Sequence, residues 1–170
     1  MTAYVALLRA VNVGGRKLAM ADLKAIAEEL GFEKPKTFIA SGNLIFVSKK
    51  KEAGVVRLLE ERLEKHMGAE VPVMIRTASE MSDVAKANPF ADQPPAKVAG
   101  IFLAQPPTKD FIERARGITN EQLALGRREI YVHYPSGMGR SKLRLPAKAV
   151  GTARNMNTVA KLAQLAKEIE

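Results

Sequence analysis

The 170-residue sequence has no cysteine, no tryptophan and only two histidines, His66 and His133. The absence of cysteine excludes a disulfide scaffold, thiolate metal sites and cysteine nucleophiles together. Two histidines are too few for a multi-histidine metal centre, so neither a metal nor a cofactor is expected. Aromatic residues make up only 5%, and the strands lack the aromatic-rich signature of an RRM-type RNA-binding sheet. No stretch approaches the ~18 consecutive apolar residues of a membrane span, and no membrane partner is expected. The N-terminus, Met-Thr-Ala-Tyr-Val-Ala-Leu-Leu-Arg-Ala, lacks the leading basic residues and small-residue cleavage site of a signal peptide. It reads as a strand of a soluble, cytoplasmic protein.

What is present is a well-supplied core. Hydrophobic residues reach 46% and charged residues 26%, which excludes disorder as the main state. The length suits one domain or two small ones. The near-continuous apolar run from Thr2 to Val11 predicts a strand covered on both faces. The glycine turn Asn12-Val13-Gly14-Gly15 follows, ending in Arg16-Lys17. Leu23, Ile26, Ala27 and Leu30 recur at helical spacing, predicting a helix over 18–30 that stops at Gly31. Strands are predicted over 36–40 and 44–48, turned by Ser41-Gly42-Asn43. A second amphipathic helix over 55–67 and a strand over 71–76 complete the order βαββαβ, the ferredoxin-like plait. Beyond residue 76 the pattern predicts a helix over 79–87 capped by Ser79, a strand over 98–103 and a helix from Thr108 to about Arg116. A hairpin of 122–125 with 129–134 and a helix from about Asn155 to Ile169 follow. The fold class expected is therefore α+β, with two ferredoxin-like subdomains over 1–76 and 77–170. The second is an incomplete or permuted variant, with no repeat visible residue by residue.

The charge is uneven. The chain carries 27 Lys+Arg against 18 Asp+Glu, a formal net charge of +9. Between Arg127 and Arg154 stand seven cations (Arg127, Arg128, Arg140, Lys142, Arg144, Lys148 and Arg154) against one acid, Glu129. Such a run keeps a hairpin and loop solvated, or it binds an anion. Five of the seven are arginines, whose planar fork grips phosphate or carboxylate through two hydrogen bonds.

Two backbone devices accompany these cations. Ser136-Gly137-Met138-Gly139-Arg140-Ser141-Lys142 is a glycine loop whose N–H groups could converge on an anion, with Ser141 as a further donor. It is not a Walker A loop, because Tyr134 stands where that pattern needs glycine. Nor does adjacent Ser141-Lys142 match the S-x-x-K spacing of a serine nucleophile with its lysine. Gly151-Thr152-Ala153-Arg154-Asn155-Met156-Asn157-Thr158 is expected to open the last helix, offering free N–H groups beside Arg154. Asn155 and Asn157 there are either ligand contacts or helix caps. The first half offers a matching set: Arg9, Asn12, Ser41 and Asn43. An arginine within a buried strand needs a partner, so Arg9 is expected to meet Asp22, Glu129 or an anionic ligand.

Several segments together are similar to the DUF1697 family of bacterial proteins. They are Ala-Leu-Leu-Arg-Ala-Val-Asn-Val-Gly-Gly (6–15), Phe-Ile-Ala-Ser-Gly-Asn-Leu-Ile-Phe (38–46), Asn88-Pro89-Phe90, Gly-Arg-Arg-Glu-Ile-Tyr (126–131), Gly-Arg-Ser-Lys-Leu (139–143) and Ala-Arg-Asn-Met-Asn-Thr-Val (153–159). The resemblance implies two ferredoxin-like subdomains and brings no established activity, the family being one of unknown function. Met156 stands where the family often has Trp, which either stacked on a ligand or filled core. The connection from Lys142 to Arg154 is shorter than is usual there.

Three functions fit these residues. The first is binding of a phosphate-bearing small molecule or nucleotide at a site between the subdomains, formed by Arg9, Asn12, Ser41, Asn43, Arg140, Ser141, Lys142, Arg154, Asn155 and Asn157. The second is a nucleic-acid-binding module, or an enzyme that acts on a phosphorylated substrate through arginine and asparagine electrostatics, with no general base evident. The third is a protein-interaction domain. Oligomeric state is not encoded legibly.

Overall fold

The structure, a computed structural model, describes residues 1–146 and 151–170. The chain divides into two units, Met1–Ser82 with Lys161–Glu170, and Asp83–Ala160. Among the described residues no helix is long and apolar enough to cross a membrane.

The first unit is organised around β1 (Thr2–Leu8), buried from Ala3 onward, as its unbroken apolar run predicts. Then come α1 (Met20–Glu29), β2 (Glu33–Thr37), β3 (Asn43–Ser48), α2 (Glu52–Met67) and β4 (Val73–Thr77). The sheet is antiparallel in the order β2-β3-β1-β4. This is the expected βαββαβ plait. Tyr4, Ala6, Leu8, Leu44, Phe46, Val73 and Ile75 point to one face and pack with Leu23, Ile26, Leu59 and Leu63 of the two helices. Phe32 stacks on Phe46 with ring centroids 4.3 Å apart. The alternate residues Val5, Leu7, Ile45, Met74 and Arg76 are buried as well.

Three local expectations are corrected here. β1 ends at Leu8 rather than Val11, because the Leu8 N–H donates to Gly42 O, the Arg9 N–H to Pro72 O, and Ala10 turns left-handed with φ +57°. Arg9 is consequently exposed, so burial demands no internal partner for it, and Asp22 instead faces His66 at 3.7 Å. β2 runs Glu33–Thr37 rather than 36–40, so Pro35 lies inside it. β2 is an edge strand, with a bulge between Glu33 and Lys36, where a missing N–H is tolerated.

In the second unit β5 (Val98–Leu103), β6 (Gln122–Leu125), β7 (Glu129–His133) and β8 (Gly151–Asn155) form an antiparallel sheet in the order β6-β7-β5-β8. That is the order of the first sheet, strand for strand. All four strands are present in that order, and among the described residues neither crossover holds an α-helix, which is what leaves the second plait incomplete. The helix expected from Thr108 to Arg116 is a set of turns, such as Phe111 N–H to Thr108 O and Ala115 N–H to Ile112 O. Pro106-Pro107 before it and Gly117, left-handed at φ +74°, after it bracket these turns. Phe111 nevertheless does a crossover helix's work, packing with Ala99, Ile101, Leu103, Ile130 and Val132.

Gly151–Asn155 is the second correction in this unit: it is strand β8, and the last helix, α4 (Met156–Ile169), begins one residue later. Pairing with β5 overrides a sequence with little strand character. The junctions β4–α3 (α3 being Ala78–Lys86) and β8–α4 then reveal a repeat residue by residue. Arg76 and Arg154 are each the penultimate strand residue, each is buried, and each donates through Nη1 to the preceding carbonyl, Ile75 O or Ala153 O. The residue that follows caps the helix: Thr77 Oγ1 accepts from Glu80 N–H, and Asn155 Oδ1 from Thr158 N–H. Thr77, not Ser79, is thus the cap of α3. Glu80 Oε1 accepts from Thr77 N–H in return, completing a capping box.

Candidate functional site

The residues singled out in the first unit gather at one end of its sheet. Val13-Gly14-Gly15-Arg16 is a tight turn with φ +56° and +83° at the two glycines, closed by Arg16 N–H to Val13 O at 3.1 Å. Positive φ at both central positions is type I′ geometry, which joins two antiparallel strands and suits Gly-Gly. A miniature hairpin therefore projects from the end of β1. Asn12 fastens its base: Oδ1 accepts from Leu18 N–H at 2.9 Å, and Nδ2 donates to Leu18 O at 3.0 Å and to Ala40 O at 2.6 Å. The last bond ties the hairpin to the β2–β3 turn.

That turn is itself locked. Asn43 is fully buried and its Nδ2 donates to Phe38 O and to Ser41 Oγ, at 2.9 and 3.0 Å. Gly42 has φ +91°, and a Cβ there would lie 2.6 Å from Val11 Cγ2 and 3.0 Å from Leu8 Cβ. Only glycine fits. Ala10, Asn12 and Ile39 are left-handed without being glycine, at φ +57°, +57° and +50°. Such strain persists only where surrounding contacts hold it, and it concentrates at functional sites. Residues 9–19 and 37–43 contain Arg9, Arg16 and Lys17 and no acid. Arg9 and Lys17 are exposed, while Arg16 donates to Glu70 O at 2.6 Å. Arg9, Asn12, Ser41 and Asn43 thus lie in one cluster of loops.

In the second unit the residues divide between two places. Arg140 ends a short 3-10 turn over Met138–Arg140 and is exposed, as is Lys142. Ser141 between them donates its hydroxyl to Glu121 Oε1 at 2.9 Å and accepts from Leu143 N–H. Bonds from Thr119 N–H, the backbone of Glu121 and Ser141 hold the Glu121 carboxyl below the usual carboxylate range, against the opposing pull of burial. Arg154 and Asn155 lie at the end of β8, with Asn157 exposed on the first turn of α4. Arg154 is buried, its Nη1 2.7 Å from Thr152 Oγ1, and burial pushes its guanidinium down to about 10. Asn155 acts as a cap. Lys148 lies outside the described residues.

The register puts Glu129, Tyr131 and His133 of β7 on the same sheet face as Thr152 and Arg154, and all five are buried. The Tyr131 hydroxyl donates to Val84 O at 2.8 Å, and burial followed by the Glu129 charge pushes it up to about 12. His133 packs its ring on Phe90, and its buried Nδ1 has no hydrogen-bond partner among the described residues. Met156 is buried, so it serves as core at the position where the family often has Trp. Apart from Arg154, sequence reasoning missed this row because alternate strand residues that read as surface are covered. It also missed Arg116 and Gly117, which stand outside the dense basic segment. Among the described residues no group of three His, Asp or Glu side chains is placed to share a metal ion.

A family model described as "Protein of unknown function (DUF1697)" matches residues 1–131. The match covers the hairpin, the β2–β3 turn and the strands through Tyr131, and stops before the segments 139–143 and 153–159. A solved structure, that of the conserved bacterial protein SP0830 from Streptococcus pneumoniae, is similar with a TM-score of 0.78 and 25% identity, over 97% of this chain and 98% of that one. Among curated proteins none matches this chain.

Proposed function

Because the chain belongs to the DUF1697 family, whose name carries no activity, we propose a function from the residues themselves: binding of a phosphate-bearing small molecule at the joined loops of the first unit. The observation that carries this reading is the Asn12 side chain, which with three hydrogen bonds fixes the glycine hairpin against the β2–β3 turn. A loop that only linked β1 to α1 would need neither this anchoring nor two left-handed non-glycine residues, Ala10 and Asn12. Rigid presentation lowers the entropy lost when a ligand is bound. Arg9 and Lys17 supply full charges, and the exposed backbone of Gly14-Gly15 supplies close approach. Arg140 and Lys142 are a second pair of exposed cations on the Arg/Gly-rich loop of the other unit. Ser141, Asn155 and Arg154 support that loop and the β8 end through the bonds described above. The chemistry needed is that of a cytoplasmic phosphorylated metabolite or nucleotide.

The test is thermal unfolding against a panel of inorganic phosphate, pyrophosphate and nucleotides. A ligand at a hundred times its Kd stabilises by about 2.7 kcal/mol, or roughly 5–10 °C for a chain of this size. Arg9→Ala should keep the unliganded melting temperature and lose most of that shift. Asn12→Ala should lose the shift and also about 2–3 kcal/mol of stability, from three hydrogen bonds at about 1 kcal/mol each. A full shift in Arg9→Ala and Lys17→Ala would place the ligand elsewhere.

A further inference from the structure

The second unit carries a feature independent of that site. Arg116 and Arg144 form an isolated antiparallel bridge in which each N–H donates to the other's carbonyl, at 2.9 and 2.7 Å. Residues exchanging both bonds stand about 5.5 Å apart at Cα with side chains on the same face. Both are exposed arginines. Like charges directly opposite one another destabilise a ladder. Around the bridge, residues 114–118 (Arg-Ala-Arg-Gly-Ile) and 140–146 (Arg-Ser-Lys-Leu-Arg-Leu-Pro) hold five cations and no acid. Arg114, Arg116, Arg140, Lys142 and Arg144 are exposed, whereas Ala115 is buried and Leu143 and Leu145 pack against the core of this unit. The two runs alternate cation outward and apolar inward. Gly117 makes the close approach possible: a Cβ there would lie 2.1 Å from Lys142 O.

Compensation within the chain is slight. Asp110 is near enough to Arg114 for its carboxyl to be lowered, though its Thr108 hydrogen bond does more. Glu121 is engaged by Ser141 and Thr119. Arg116 Nη1 donates to Glu113 O and Ala115 O, which orients the guanidinium without neutralising it. Lys142 and Arg144, two residues apart on one run, are spaced by about 6.5 Å. The ribbon turns Ala115, Leu143 and Leu145 inward and presents five cations, with Ile118 exposed at one end, a face that fits a polyanion with regularly spaced charges.

We infer that this ribbon binds the phosphodiester backbone of a nucleic-acid duplex without sequence preference. Arginine forks suit phosphate oxygens. Phe111 and Tyr134, the aromatic rings in the cluster that Leu143 and Leu145 pack against, are buried, which removes the stacking platform that unpaired bases require. The ribbon is too firmly backed by the core to enter a groove, so it meets the backbone.

Fluorescence anisotropy with a short mixed-sequence duplex tests this. Contact with about four phosphates gives a log–log salt slope near −3.6, a loss of about 150-fold in affinity between 50 and 200 mM salt. Arg116→Gln and Arg144→Gln should each lower the slope by about 1, and both together should abolish measurable binding at the higher salt. Their backbone bonds remain, so both variants should melt at or slightly above the wild-type temperature. Lys24→Ala, an exposed cation on α1 outside both proposed sites, should leave the slope unchanged. Duplex binding that is absent at 50 mM salt, or unaffected in the double variant, overturns the inference. So does binding confined to anionic lipid vesicles or to an acidic peptide.

Discussion

Tyr131 shows how a single residue ties this protein's stability to pH. Its hydroxyl donates to Val84 O within a buried polar row and is pushed up to about 12, first by burial and then by Glu129. A tyrosine in the unfolded chain titrates near 10. The folded state thus holds its proton longer than the unfolded state, and the stability this confers is complete below pH 10 and lost as pH rises from 10 towards 12. The loss is about 1–2 kcal/mol once screening is allowed for. Tyr131→Phe should be about 1 kcal/mol less stable than wild type at pH 8, from the missing hydrogen bond. That gap should close by pH 11.5, and urea unfolding at the two pH values measures it. A gap that stays constant would show that the hydroxyl titrates normally. His133 beside it is the contrary case, its ring packed on Phe90 and its buried Nδ1 without a hydrogen-bond partner among the described residues. Neither role is legible in the sequence, where both residues read as alternating members of a strand.

Elements were readable to the extent that local pattern agreed with tertiary pairing. Helices with a clear apolar stripe, α1, α2 and α4, lie where their periodicity puts them to within a few residues. The failures share one cause. A set of turns resembling a helix at Thr108–Arg116 and a strand resembling a helix N-terminus at Gly151–Asn155 were both decided by what they pack or pair with. The glycines distinguish between demands that sequence cannot separate. Gly117 has φ +74° and abuts Lys142 O, so Gly117→Ala should cost about 2–4 kcal/mol through displaced backbone. Gly139, in the Arg/Gly loop, has nothing within 4 Å of where an alanine methyl would sit, and no left-handed φ. Gly139→Ala should therefore be neutral or stabilise by up to about 1 kcal/mol. Chemical denaturation separates the two, and equal effects would contradict the view that the fold demands only the first.

The whole molecule is a plait repeated in sheet order and in its strand–helix junctions, with different crossovers. That repeat was invisible along the chain because it survives in one buried arginine and one cap per unit, Arg76-Thr77 and Arg154-Asn155, on otherwise unlike strands. Arginine at these positions is committed to the fold. The exposed cations on which the two proposals rest lie elsewhere: on the hairpin after β1, and on the ribbon of Arg116 and Arg144. The basic segment from Arg127 to Arg154 contains one run of that ribbon, Arg140 to Arg144, but not the opposite run with Arg116. The central claim is that the hairpin and the β2–β3 turn together hold a phosphate group. Amide chemical shifts followed during titration with pyrophosphate test it most directly. The account predicts saturable shifts concentrated at residues 9–17 and 39–43, including Gly14, Gly15 and Gly42, and abolished in Arg9→Ala. Shifts confined to residues 114–118 and 140–146, or no saturable shift at all, would contradict it.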